Sequence, residues 1–176
     1  KEFLDIVGHD KACLIMHTDV RDQHGQDLEA IINRLGLVNG EVMFSKNKVP
    51  PEHLSMMYNM ADCTVNIADA EGFGLATLES LATETPIIVT MTGGLQEQVT
   101  KCEEVSLEIM RERNHTAARV TQYAHGFGIE PSSKSVIGSL DVPYIYEDRL
   151  RGEKVVEALL QFYNLTEEER KEMGAA

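Results

Sequence analysis

Glu71 and Glu79 bracket a turn with glycines at positions 72 and 74, in the stretch Ala68-Asp69-Ala70-Glu71-Gly72-Phe73-Gly74-Leu75-Ala76-Thr77-Leu78-Glu79. An apolar, β-branched run precedes this stretch and residues of helical character follow it, so it reads as a strand-to-helix turn. Gly72 and Gly74 let the backbone approach a ligand closely and take up positive φ. The unpaired N–H groups at a helix start carry partial positive charge, so the chemistry expected here is the cradling of a phosphate or pyrophosphate. A carboxylate held against that anion would be repelled, which leaves hydroxyls as partners for the two glutamates. Glu79 lies about five residues into the helix, roughly 7.5 Å along its axis, and its side chain leans back toward the turn. Glu71 stands on the near side of the same mouth. Two acceptors flanking one anion site suit a ribose at one end of a diphosphate and a hexose at the other. Taken singly, each part has an ordinary reading as a surface acid, a solvated helix residue or a common Gly-x-Gly turn. Their coincidence at one turn, backed by the small residues Ala76 and Thr77, favours a site.

The elements that must position this turn follow from periodicity. Short apolar runs at 12–17, 41–44, 63–67, 86–90 and, more weakly, 142–145 alternate with helical segments, the signature of stacked β-α units around a parallel sheet. Leu28, Ile31, Ile32 and Leu35 keep an i, i+3, i+4, i+7 spacing before Gly36, which predicts a capped amphipathic helix. Pro51 opens another, with Leu54, Met57, Tyr58 and Ala61 on one side and Met56, Met57 and Met60 expected to fill core. A third is expected over 74–83, and a short one over 1–7 ending at Gly8. The expected fold class is α/β, a Rossmann-like open parallel sheet with helices on both faces. In such sheets ligands bind beyond the carboxyl ends of the strands, where the Glu71 turn falls. The alternation breaks over 101–140, read as one helix bearing Val105, Ile109 and Met110 and then a Gly- and Ser-rich loop. Order returns with a helix carrying Val156, Leu159, Leu160 and Tyr163, and with Thr166 and Glu169 at capping-box spacing.

Composition narrows the function. The 176 residues are 43% hydrophobic, enough for one domain with a proper core. A net charge of -13 argues against nucleic acid and anionic membrane surfaces as partners. No apolar run reaches the roughly 20 residues of a membrane span, so a soluble, cytoplasmic domain is expected. Cys13, Cys63 and Cys102 read as reduced, mostly buried thiols, and no metal site is expected because the cysteines are too widely spaced for a zinc knuckle and the His and Met residues show no ligand spacing. The sequons at Asn114 and Asn164 would matter only in a secreted protein. His17, Thr18 and Asp19 close the first strand and read as a strand-end cap. Lys46 and Lys48 read as a solvated loop pair. A nicotinamide dehydrogenase is disfavoured, because no third glycine completes the fingerprint.

The motif of 71–79, continued by Leu81-Ala82, Thr85-Pro86-Ile87-Ile88-Val89 and Thr92-Gly93-Gly94-Leu95 with Glu97, resembles the C-terminal donor domain of group 1 (family 4) retaining glycosyltransferases of the GT-B fold. Met57-Tyr58-Asn59-Met60-Ala61-Asp62 resembles that family's segment before the motif strand. The resemblance covers about 12–100 and implies half of a GT-B fold, with an N-terminal acceptor domain lying before Lys1. It implies a nucleotide diphosphate sugar as donor, no separate cofactor, and a sugar, lipid or protein acceptor. By resemblance Glu71 is the catalytic-site glutamate that contacts the transferred sugar, and Gly72, Phe73, Gly74 and Leu75 meet sugar and diphosphate through the backbone. Glu79 then holds the ribose hydroxyls, Gly93 and Gly94 complete the donor-binding loop, and 45–49 lies near the base. The family's diphosphate-neutralising Arg and Lys are expected before Lys1, and this piece alone is expected to be inactive. A nucleotide-sugar epimerase and a non-catalytic donor-binding or scaffolding module are the alternatives.

Overall fold

A computed structural model describes residues 1–23, 25–100, 119–142 and 144–176. They divide into two compact units, Lys1–Pro50 and Pro51–Ala176.

The first unit holds α1 (Glu2–Val7), β1 (Leu14–His17), α2 (Leu28–Leu35) and β2 (Val42–Ser45). β1 and β2 pair in parallel, from Leu14 opposite Val42 to His17 opposite Ser45. α2 has the expected boundaries: the Asp27 side chain accepts from the Ala30 N–H, and Gly36 ends the helix in the left-handed region with φ 73°. β1 begins two residues later than the apolar run predicts, which leaves Cys13 exposed ahead of the strand and not buried within it.

The second unit contains α3 (Pro51–Met60), β3 (Thr64–Asn66), α4 (Leu75–Leu81), β4 (Ile87–Thr90), α5 (Leu95–Val99), β5 (Val120–Tyr123), β6 (Gly126–Ile129), β7 (Ser133–Ile137), β8 (Ile145–Arg149), α6 (Gly152–Tyr163) and α7 (Glu167–Ala175). Its main sheet has the order β3-β4-β6-β5, parallel except for the hairpin partner β5. β4 is central, and its alternating side chains are buried on both faces. Ile88 packs with Phe127, Ile129, Phe162 and Met173, whereas Ile87 and Val89 pack with Met91, Leu95 and Val99. Helices therefore cover both faces: α6 and α7 on one, α5 on the other. A run buried on both faces reads as continuously apolar, as Ile87-Ile88-Val89 does.

Three details differ from the sequence expectations. Residues 120–137, read as a loop, carry β5, β6 and β7; β6 was hidden by Gly126 and Gly128, residues depleted from strands in general. They are required here because a Cβ at Gly128 would come within 2.3 Å of the Met91 sulfur. The last strand starts at Ile145 and runs on to Arg149 as half of the antiparallel pair β7-β8. On α3 the half-buried side is Leu54, Met57 and Tyr58 as expected, but Met56 and Met60 occupy the other side, 61% and 70% exposed, and fill no core. The helix expected around 105–110 and Cys102 lie outside the described residues. The capping box is formed: Thr166 Oγ1 accepts from the Glu169 N–H, and Glu169 accepts from the Thr166 N–H.

Candidate functional site

Parallel pairing of β3 with β4, Asn66 opposite Val89, brings the loops after both strands to the same end of the sheet. The loop after β3 carries Glu71, Gly72, Phe73 and Gly74; the loop after β4 carries Thr92, Gly93 and Gly94. They meet backbone to backbone. The Gly94 N–H donates to the Gly72 carbonyl at 3.1 Å. A Cβ at Gly94 would lie 2.6 Å from the Phe73 carbonyl, and one at Gly93 would lie 1.6 Å from that of Glu71. The first task of this glycine pair is thus to let the two loops touch.

Gln98 on α5 completes the clasp. Its Nε2 donates to the Phe73 carbonyl at 2.6 Å and to the Gly74 carbonyl at 3.1 Å. The Thr77 hydroxyl lies 2.8 Å from the Gly74 carbonyl and 2.6 Å from Gln98 Oε1, so its one proton is shared between two acceptors. Gly74 sits at φ 86° with Leu95 and Thr77 crowding the place of a side chain, so only glycine fits. Gly72 differs from the expectation: it has no positive φ, and a Cβ there would meet nothing within 4 Å. Its lack of a side chain leaves open space beside the turn.

The carbonyls of Gly72, Phe73 and Gly74 are all held from the body of the protein. In a trans peptide the C=O and the following N–H point opposite ways. Tying these carbonyls inward therefore aims the N–H groups of Phe73, Gly74 and Leu75 outward, as a run of donors. The side chains of Phe73 and Leu75 flank that run, 56% and 68% exposed.

The two glutamates are held differently. The Glu71 carboxylate is half-buried and has no hydrogen-bond or ion-pair partner among the described residues. The Glu79 carboxylate is exposed and accepts a 3.0 Å hydrogen bond at Oε2 from the Tyr58 hydroxyl. Burial, then the hydrogen bond to Glu79, pushes the Tyr58 pKa up to about 12, so the hydroxyl keeps its proton. Upstream of Glu71, the Asp69 carbonyl accepts from the Asp148 N–H at 2.6 Å and the Asp69 side chain pairs with Arg149. The hairpin β7-β8 thereby pins the start of the loop.

Tyr58, Gln98 and Arg149 were not singled out as site residues from sequence. Tyr58 was legible as a residue of the apolar side of α3 and of the segment 57–62 that resembles the family's, with no role at the site. Elsewhere, Lys46 is ion-paired with Glu29 at 3.0 Å, in keeping with a loop lysine, and His17 Nδ1 lies 2.9 Å from Ser45 Oγ at the strand end. The Cys63 thiol packs against the core, and burial pushes its pKa up to about 12. No helix among the described residues is long and apolar enough to cross a membrane.

The family model described as "Glycosyl transferases group 1" matches residues 4–122. The chain belongs to the group 1 glycosyl transferases. Within this family it is 42% identical over 72 residues to a D-inositol 3-phosphate glycosyltransferase of Corynebacterium urealyticum, a match covering 41% of this chain and 16% of that protein. A second protein of that name, from Acidothermus cellulolyticus, is 34% identical over 79 residues, 45% of this chain and 17% of its own length. The match thus spans less than a fifth of either relative. The mixed α/β sheet covered by helices agrees with the Rossmann-like domain expected of this group.

Proposed function

We propose that this group 1 glycosyl transferase chain is the donor-binding part of an enzyme that moves a hexose from a nucleoside diphosphate to an acceptor with retention of configuration. The feature that carries this reading is the clasped turn, whose tied carbonyls set the direction of the N–H groups of Phe73, Gly74 and Leu75, in the stretch of chain between Glu71 and Glu79. The N–H groups of Phe73, Gly74 and Leu75 face the diphosphate, Glu79 accepts from the ribose hydroxyls, and Glu71 accepts from hydroxyls of the sugar. Phe73 and Leu75 pack beside the ligand in the open space next to Gly72.

In the reaction an acceptor oxygen bonds to the anomeric carbon as the bond from that carbon to the diphosphate oxygen breaks. The leaving nucleoside diphosphate takes the bonding electron pair and the acceptor's proton. Outward N–H groups, fixed before the reaction, stabilise the charge that develops on the leaving oxygen without having to reorganise. Glu71 orients the sugar and does not serve as nucleophile. The acceptor, a sugar, lipid or protein, is bound by a part of the protein outside this chain, as are the basic side chains that neutralise the diphosphate.

The test is calorimetric titration of the chain with uridine, guanosine and adenosine diphosphate sugars, before and after Glu79→Ala. One base class should bind, and the substitution should weaken it about tenfold or more, the worth of a hydrogen bond to a charged group. Failure of every donor to bind, or binding that Glu79→Ala leaves untouched, overturns the proposal.

A further inference from the structure

We infer that Tyr58 is a positioning residue for the donor's ribose: it holds Oε2 of Glu79 and so presents the other carboxylate oxygen to the vicinal hydroxyls. The inference rests on the ribose role of Glu79 proposed above and extends it to a second residue.

An exposed glutamate on a short helix such as α4 samples several rotamers, and fixing it costs side-chain entropy when the ligand binds. The 3.0 Å bond from the Tyr58 hydroxyl fixes it beforehand. A carboxylate has about four acceptor positions, so one bond at Oε2 leaves Oε1 and a lone pair of Oε2 for a diol. Tyr58 in turn is anchored at its backbone, because the Thr85 hydroxyl donates to its carbonyl at 3.0 Å. Thr85 is buried at the foot of β4, and its own carbonyl accepts from Ser80 on α4 at 3.0 Å. One polar chain therefore ties the end of α3, the end of α4 and the entry to β4, and the tyrosine ring projects from it toward Glu79. The hydroxyl stays protonated through the neutral range, so it donates and the carboxylate accepts.

The experiment compares wild type, Tyr58→Phe and Glu79→Ala by calorimetry against uridine, guanosine and adenosine diphosphates and their 2′,3′-dideoxy counterparts. Tyr58→Phe should weaken the ribonucleotide that binds about three- to tenfold, the range of one net hydrogen bond. It should leave the dideoxy compound unchanged, because that compound has no hydroxyls for Glu79 to hold. An unchanged dideoxy affinity also shows that the variant is folded. Equal weakening of both compounds would mean a general structural role, and no weakening of either would mean an idle contact; each overturns the inference while leaving the Glu79 assignment standing. If wild type binds no diphosphate, or Glu79→Ala does not discriminate ribose from dideoxyribose, the ribose role of Glu79 falls and the inference with it.

Discussion

The α-carbon of Gly93 approaches the carbonyl of Glu71 so closely that a methyl group on it would stand 1.6 Å from the oxygen. Gly93 also adopts φ 46°, a conformation that costs any other L-residue energy. Gly93→Ala should therefore destabilise the chain by about 3 kcal/mol or more, since backbone stands on both sides of the clash. Gly72→Ala, on the facing loop and in open space, should stay within about 1 kcal/mol. Urea denaturation of the two variants separates a glycine needed for packing from one that leaves room for a ligand.

Gln98→Leu keeps the volume of the side chain and removes its hydrogen bonds to the Phe73 and Gly74 carbonyls. The turn then loses part of what aims its N–H groups outward. Stability should fall by about 1 to 2 kcal/mol, and donor affinity by about tenfold. The calorimetric titration already described reads the affinity, and thermal unfolding reads the stability. Equal affinity in the variant would show that the turn keeps its shape without the clasp.

In the first unit, His9 Nδ1 lies 2.9 Å from Oε1 of Glu41, whose side chain is buried, and its Nε2 lies 3.1 Å from Asp5. The hydrogen bond to Glu41, then that to Asp5, raises the His9 pKa above its ordinary 6.5. The bond from His9, then backbone N–H groups, lowers that of Glu41 below 4.5. The histidine's contribution is complete below pH 6.5 and is lost as pH rises through the raised value; the glutamate's is complete above pH 4.5 and is lost as pH falls through the lowered one. Thermal unfolding of wild type and His9→Gln should differ most between those two limits, and the gap should shrink at alkaline pH.

Thr166→Ala removes the hydroxyl that caps α7 and leaves the Glu169 N–H without its partner. A cost of about 1 kcal/mol is expected in denaturant unfolding. Thr166→Ser should restore most of it.

What could be read in advance was local. The extent of α2 follows from Gly36 and the apolar stripe before it, and the capping box from Thr166 and Glu169, because each depends on residues within one or two turns. The Glu71 turn and Glu79 were legible because a strand-to-helix turn and its glycines lie together in the chain. By itself, then, the sequence determined the α/β class, the strand-to-helix turn that carries Glu71, and the family. Tertiary structure decided how that site is held. Tyr58 meets Glu79 only because α3 packs on α4, and Gly93 and Gln98 reach the Glu71 loop only because β3 and β4 run parallel in one register. β6 escaped the periodicity for a related reason: its glycines answer to β4 and the residue after it, Gly126 to the Ile87 backbone and Gly128 to Met91, and not to their neighbours in sequence. Contacts between residues some 20 positions apart leave no periodic trace, since close packing of whole elements selects them and local backbone preference does not.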